Sequence, residues 1–337
     1  MNRDDRIRGV LLGTAIGDAL GLPAEGLSPE RIVRRFGCLD RYRLFGRTGF
    51  VSDDTEQTAL VAHAWIEAHD GAAEFARAFA RRLRAWFLAL PLGIGLATAK
   101  ACLRLCLGVS SARSGSDSAG NGAAMRAALV GVLLCDEPSK RLEFSQALAR
   151  VTHRDPRAVE GAAFVAELAA QGTLGSPSQN FDLAAARSVV RNEELIAAID
   201  KAGRLAECAE PAQAAHELGT SGFVVHTLGF ASYCVARFGA DPARALVVAV
   251  NAGGDTDSIG AIVGALVGAR HGASALPAAL LGELEDGPLG RSHLTRLADA
   301  LGKGGRAPPR FRPILLLVRN LLLLPVILGH GFWRLLP

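Results

Sequence analysis

Apolar residues recur at three- and four-residue spacing along nearly the whole chain, and the strict alternation of a half-buried strand is almost absent. The clearest helix lies over residues 5–22, where Gly9, Gly13, Gly17 and Gly21 fall every four residues on one face. Each glycine inside a helix costs up to roughly 1 kcal/mol against alanine, so such a ridge makes sense only where another backbone packs very close. Gly260, Gly264 and Gly268 repeat the device, and both helices are expected at the centre of a bundle. Apolar spacing and Pro or Gly punctuation predict further helices over about 55–70, 72–89, 93–107, 121–135, 139–151, 156–170, 182–203, 222–238, 241–250, 256–271 and 289–302. Asp155-Pro156 marks one start sharply, with Asp155 able to cap and Pro156 at the first helical position. Residues 108–122 and 172–181, rich in Gly, Ser and Asn, read as loops. The expected fold class is all-α.

Composition agrees with this. Half the residues are hydrophobic but Phe, Tyr and Trp make up only 6%, so Ala, Leu and Val must build a core of close-packed helices. No polar low-complexity linker divides the 337 residues, which predicts one large domain over 1–302 and an appendage over 303–337. Lys303, Arg306, Arg310, Arg312, Arg319 and Arg334 place six positive charges in that appendage with no acid, so against a total of +4 the body carries −2. Such a body is no nucleic-acid-binding surface by charge, and no nucleic-acid partner is expected. Six cysteines without a Cys-x-x-Cys pair point to reduced thiols in the cytosol, not to a zinc cluster or a disulfide framework. The opening MNRDDRIRG lacks an apolar signal core, so export through a cleaved peptide is not expected.

Residues 313–337 are strongly apolar but interrupted by Arg319, Asn320 and Pro325, and no uninterrupted run reaches the roughly 20 residues of a bilayer span. The alternatives are a helix packed back on the body, a dimer contact, or an interfacial anchor at the inner face of the membrane, where Trp333 suits the headgroup level.

Two acidic clusters carry the chemistry. Ser52-Asp53-Asp54-Thr55 and Asp255-Thr256-Asp257-Ser258 each open an apolar helix. Taken singly, each has a plain account as a helix start, and Asp54 with Gln57 fits a capping box. Taken together, they offer two carboxylates and a nearby hydroxyl apiece, an all-oxygen donor set that suits hard cations such as Mg²⁺ or Mn²⁺ and not zinc. Four converging carboxylates repel one another unless divalent ions neutralise them, and a pair of ions about 3.5–4 Å apart is the natural arrangement.

Five strings stand in series: GVLLGTAIGDALGLPAEG (9–26), SDDTEQTAL (52–60), GNGAAMRAALVG (120–131), THRDPRAV (152–159) and GGDTDSIGAIVGAL (253–266). In this order they resemble the motif series of the ADP-ribosylglycohydrolase family, sampling about residues 5–270. The resemblance implies an orthogonal all-α multi-helix bundle around two Mg²⁺ ions, replaced by Mn²⁺ in some members. It maps the metal ligands onto Ser52, Asp53, Asp54, Asp255, Asp257 and Ser258, with serine where relatives often carry threonine. Glu25 falls where the family has a mobile acid near metal and ribose; alone it reads as a surface acid. Gly120, Asn121 and Gly122 would contact ADP-ribose, with Asp117 as a nearby polar or catalytic group. His153 would lie beside the ligand, although a buried core histidine is the simpler account. Phe223 stands where relatives often carry tyrosine, which bears on fine specificity.

The implied reaction is removal of ADP-ribose from a modified protein side chain, with ADP-ribose as product. Metals fix the ribose and polarise a water, carboxylates stabilise an oxocarbenium-like state, and Asp54, Glu25 or Asp117 guides the water proton or the leaving group. ADP-ribosyl-arginine is the first expectation and O-linked ADP-ribosyl-serine the close alternative. Another N-glycoside hydrolase and a catalytically silent, ligand-binding family member are the rivals.

Overall fold

A computed structural model of the chain describes residues 2–302 and 308–335, so Lys303, Arg306 and the Arg334 side chain lie outside the described residues. Side-chain caps set many helix starts: Asn2, Ser28, Ser52, Asp155, Asp182, Asn192 and Asp241 each accept a backbone N–H from the first turn that follows. The helices are α1 (Arg3–Gly21), α2 (Pro29–Phe36), α3 (Asp53–Glu67), α4 (Ala72–Phe87), α5 (Leu96–Cys106), α6 (Ala128–Leu133), α7 (Pro138–Arg150) and α8 (Pro156–Leu174). They continue with α9 (Leu183–Ala186), α10 (Glu193–Cys208), α11 (Pro211–Leu218), α12 (Val224–Phe238), α13 (Pro242–Asn251), α14 (Thr256–His271), α15 (Ala278–Glu283), α16 (Arg291–Gly302) and α17 (Pro313–Leu335). Among the described residues the β structure is limited to four isolated bridges. The fold is all-α.

α1 and α14 form the axis of the bundle. Every residue of α14 is buried, as is α1 from Gly9 onward. The two run antiparallel with their glycines interleaved. A Cβ on Gly13 would lie 2.1 Å from the Gly264 carbonyl oxygen, one on Gly17 1.9 Å from that of Gly260, and one on Gly9 2.3 Å from that of Gly268. The ridge is thus a backbone-on-backbone seam, as its spacing predicts. α14 also packs against α8, α12 and α13, and α1 against α3, α6 and α16.

Several boundaries depart from the sequence reading. The predicted helix 121–135 divides into a single 3₁₀ turn at Asn121–Ala123 and α6. The stretch 182–203 breaks because Glu160, on α8, accepts the backbone N–H groups of Arg191 and Asn192, both at 2.8 Å, and Asn192 then caps α10. The Asp54–Gln57 capping box does not form. Ser52 caps α3, while Gln57 donates to Asp53 at 2.8 Å. Within the appendage, Pro313–Leu335 form a continuous 23-residue helix that runs through Pro325, and Pro313–Trp333 is long and apolar enough to cross a membrane by length and composition.

Candidate functional site

The seam delivers the C-terminal end of α1 to the start of α14, where Thr256 Oγ1 donates to the Gly21 carbonyl at 2.8 Å. One turn earlier on α1, the fully buried Asp18 accepts from the Ser52 N–H at 2.9 Å, from the Thr55 N–H at 3.2 Å and from the Thr55 hydroxyl. A third strand of chain is tied in by Gly26, whose N–H donates to Gly254 at 2.7 Å, and by Gly254, whose N–H donates to Leu27 at 2.9 Å. Gly254 has φ +75°, and a Cβ there would meet the Thr220 carbonyl oxygen at 2.2 Å, so only glycine fits this crossing. Three chain segments far apart in sequence are thereby fixed around one point.

That point is a cleft of about 290 Å³ lined by Glu25, Asp53, Asp54, Asp255, Asp257 and Ser258. The two acidic clusters touch directly: Ser258 Oγ donates to Asp54 Oδ2 at 3.3 Å, and Ser52 Oγ lies 3.4 Å from the same oxygen. Asp255 occupies the N-terminal boundary of α14 yet makes no capping bond. Its Oδ2 instead accepts from Asn121 Nδ2 at 2.6 Å, so the plain helix-cap account fails for this carboxylate.

Electrostatics set the cluster apart. Burial holds Asp54 well above the usual carboxylate range, and Asp53, Asp18 and Asp255 push it further. Asp53 and Asp257 are raised likewise, by burial first and then by Asp18 and Glu25 respectively. Asp18 is raised to about 6 by burial, against the opposing bonds from Thr55 and Ser52. Asp54 Oδ1 and Asp18 Oδ1 are buried and have no hydrogen-bond partner. Orphaned hard oxygens among mutually repelling carboxylates fit a divalent cation well. As they stand, no three His, Cys, Asp or Glu side chains among the described residues are drawn into a ready ion-holding group, so the donors would have to close on an ion.

The far wall of the cleft comes from Thr98, Ser118, Gly120, Asn121, Gly122 and His153. Gly120 pairs with Phe223, and Ser116 pairs with His153. In this loop the Asn121 N–H is already used, donating to the Gly222 carbonyl at 3.0 Å. Asn121 holds Asp255 and also donates to Thr227 at 3.0 Å, which makes it a positioning residue. Asp117 stays exposed and does not line the cleft; its neighbour Ser118 does. Phe223 is likewise outside the lining, under the Arg157 guanidinium at 5.3 Å.

His153 is buried at the cleft wall, and its pKa is lowered to about 3 by burial and then by Arg126, so it is neutral. Thr152 Oγ1 accepts from Arg126 at 2.6 Å and lies 2.8 Å from His153 Nδ1. The other ring nitrogen, Nε2, lies on the side of Gly120 and Gly122. Sequence reasoning missed Arg126, which is fully buried and also donates to Gln57 at 2.8 Å, and it missed Asp18. Asp18 lay within a recognised motif, but nothing in its spacing announced three donors from another helix.

Against known proteins, a profile of the ADP-ribosylglycohydrolase family matches residues 1–309. An uncharacterized protein of Archaeoglobus fulgidus is 34% identical over 307 residues, covering 88% of this chain and 96% of its own. The ADP-ribosyl-[dinitrogen reductase] glycohydrolase of Rhodospirillum rubrum is 27% identical over 293 residues, 83% of this chain and 90% of its own. A solved ADP-ribosylglycohydrolase-related protein complex superposes with a TM-score of 0.68 at 28% identity, covering 90% of this chain and 99% of that one. With the family profile spanning both acid-opened helices that share the cleft, this chain is a member of the ADP-ribosylglycohydrolase family.

Proposed function

We propose that the chain hydrolyses the bond between ADP-ribose and a modified protein side chain, with ADP-ribosyl-arginine as substrate. The observation that carries this reading is the meeting of two distant acidic clusters in one cleft, bridged from Ser258 to Asp54. Family membership and the name of the Rhodospirillum rubrum relative support it.

Ser52, Asp53, Asp54, Asp255, Asp257 and Ser258 would hold two Mg²⁺ ions, or Mn²⁺. Such ions, when bound, supply Lewis-acid polarisation and a template for ribose hydroxyls and water. The chain's own groups do the rest. The surrounding carboxylates stabilise positive charge that develops on the ribose ring as the glycosidic bond breaks. Water adds its oxygen to the anomeric carbon, and its proton passes to the departing guanidine. Asp54 and Glu25, which line the cleft, would steer that proton, and Asp117, exposed outside the lining, takes no part in this scheme. On the opposite wall His153, a neutral imidazole, turns Nε2 toward Gly120 and Gly122, where a ligand would pass.

The test is release of ADP-ribose from arginine- and serine-modified peptides, with and without chelator, in the parent and in Asp255→Ala. The expected result is divalent-ion-dependent release from the arginine peptide, lost by chelation and by the substitution. Full turnover by metal-free Asp255→Ala refutes the scheme. Release from the serine peptide alone moves the linkage, and cleavage of free nucleotides alone moves the substrate class.

A further inference from the structure

The inner face of α17 sets polar anchors among apolar contacts such as the buried Leu316: Arg319 pairs with the buried Glu56 and donates to the Pro288 carbonyl at 3.2 Å, Asn320 donates to that of Ala89 at 2.9 Å, and His330 lies 3.0 Å from that of Pro23. Its outer face is apolar, with Ile314 74%, Leu322 72% and Phe332 71% exposed, and Val318, Leu321 and Leu328 exposed beside them. A helix on a water-facing surface keeps its outer face polar. Leu88 and Leu90, which flank the carbonyl that holds Asn320, add to the exposed apolar area. Contiguous apolar surface of this kind marks a docking face.

We propose that α17 lies in the plane of an anionic lipid surface, its outer face sunk to the headgroup boundary while its inner face stays locked to the body. Charge selects this occupant. Arg310 and Arg312 are exposed at one end of the helix. At the other end α2 brings Arg31, Arg34 and Arg35 against one acid, Glu30, and the Arg35 guanidinium stacks 4.2 Å over Trp333. Arginines at both ends, with Trp333 at the boundary, match an anionic headgroup layer. A second copy packed face to face, in either direction, would set cations against cations. Length alone would allow a span, but crossing would strip Arg319 from Glu56 and leave a buried carboxylate unpaired. α17 begins beyond the stretch that the family profile matches, and its Leu323, Val326, Ile327 and His330 wall a small cavity that also touches Glu25, Ser52 and Asp257. The lipid-facing helix and the carboxylate cluster therefore share a wall.

The full chain is to be mixed with vesicles of phosphatidylcholine alone or with phosphatidylglycerol, reading co-sedimentation and tryptophan emission against Trp333→Phe. Expected are binding to the anionic vesicles, a blue shift that depends on Trp333, and weakening by salt. Binding should fall at least about tenfold in Leu322→Glu with Leu328→Glu, and in Arg310→Glu with Arg312→Glu, with melting temperature and solution activity unchanged. The proposal is overturned by equal binding to both vesicle types, by binding to neither, by a dimer in sedimentation velocity that Leu322→Glu dissociates, or by vesicle-bound protein that survives alkaline carbonate washing.

Discussion

Asn121 matters for what it does to another side chain. Its amide holds Asp255 at 2.6 Å and is itself tied to Thr227, so it orients one carboxylate of the α14 cluster. Asn121→Ala should weaken divalent-ion binding by about 10–100-fold with little change in melting temperature, measured by titration calorimetry; unaltered affinity would show that Asp255 needs no such support. A different residue pair governs acid stability. His63 Nε2 lies 2.9 Å from His293 Nε2, and burial lowers their pKa values to about 3 and about 4. The unfolded chain takes up these protons below about 6.5, while the folded pair stays neutral. The stability from burying the neutral pair is thus complete above about 6.5 and declines as pH falls, until the pair itself protonates near 4 to 3. Thermal melts from pH 7.5 downward should show this decline, and His293→Gln should make it shallower; parallel curves would count against the pair. The carboxylates of the site were legible as residue types in a recurring pattern. Asp18, Asn121 and Arg126 owe their roles to partners many positions away, and no local pattern encodes that.

At the level of elements, glycine spacing was the most informative signal in the chain. It placed α1 and α14 at the centre of the bundle, because a helical glycine ridge makes sense where another backbone packs close; that each is the other's partner came from the structure. Gly17→Ala should therefore be disruptive. The added methyl lies 1.9 Å from a carbonyl oxygen that cannot rotate away, and such overpacking typically costs about 1–3 kcal/mol or more. Denaturant unfolding of Gly17→Ala and Gly264→Ala should show losses at or above that range, whereas Gly282→Ala, in α15 and facing open space, should be neutral to stabilising by up to about 1 kcal/mol. The Asp-Pro start of α8 was equally readable, because cap and proline act within one turn. The break before α10 was not, since Glu160 reaches it from another helix. α2 escaped notice although Ser28, Pro29 and Gly37 frame it; with one buried residue, Ile32, it has little apolar periodicity to read.

For the whole molecule, the acidic centre is a liability until it is neutralised. Asp53, Asp54 and Asp257 are buried and disfavour ionisation together, so an ion that binds only the folded state must stabilise it. If Mg²⁺ binds as proposed, at about 100 times its dissociation constant it would contribute about 2.7 kcal/mol per site, a rise of about 4 °C in melting temperature for a chain of this size. The rise should grow toward alkaline pH as ligands lose protons, vanish with chelator and be absent in Asp54→Asn; a melting curve indifferent to the ion would contradict it. Because the α1–α14 seam is main chain on main chain at its glycines, none of these positions can take a bulkier group by ordinary core drift. The span from Asp18 to the α14 acids is held by two rods at a fixed distance. Any change in what this cleft holds would have to come from its donor atoms or from the turns at 22–28 and 252–255, because the rods themselves cannot be shifted by small steps.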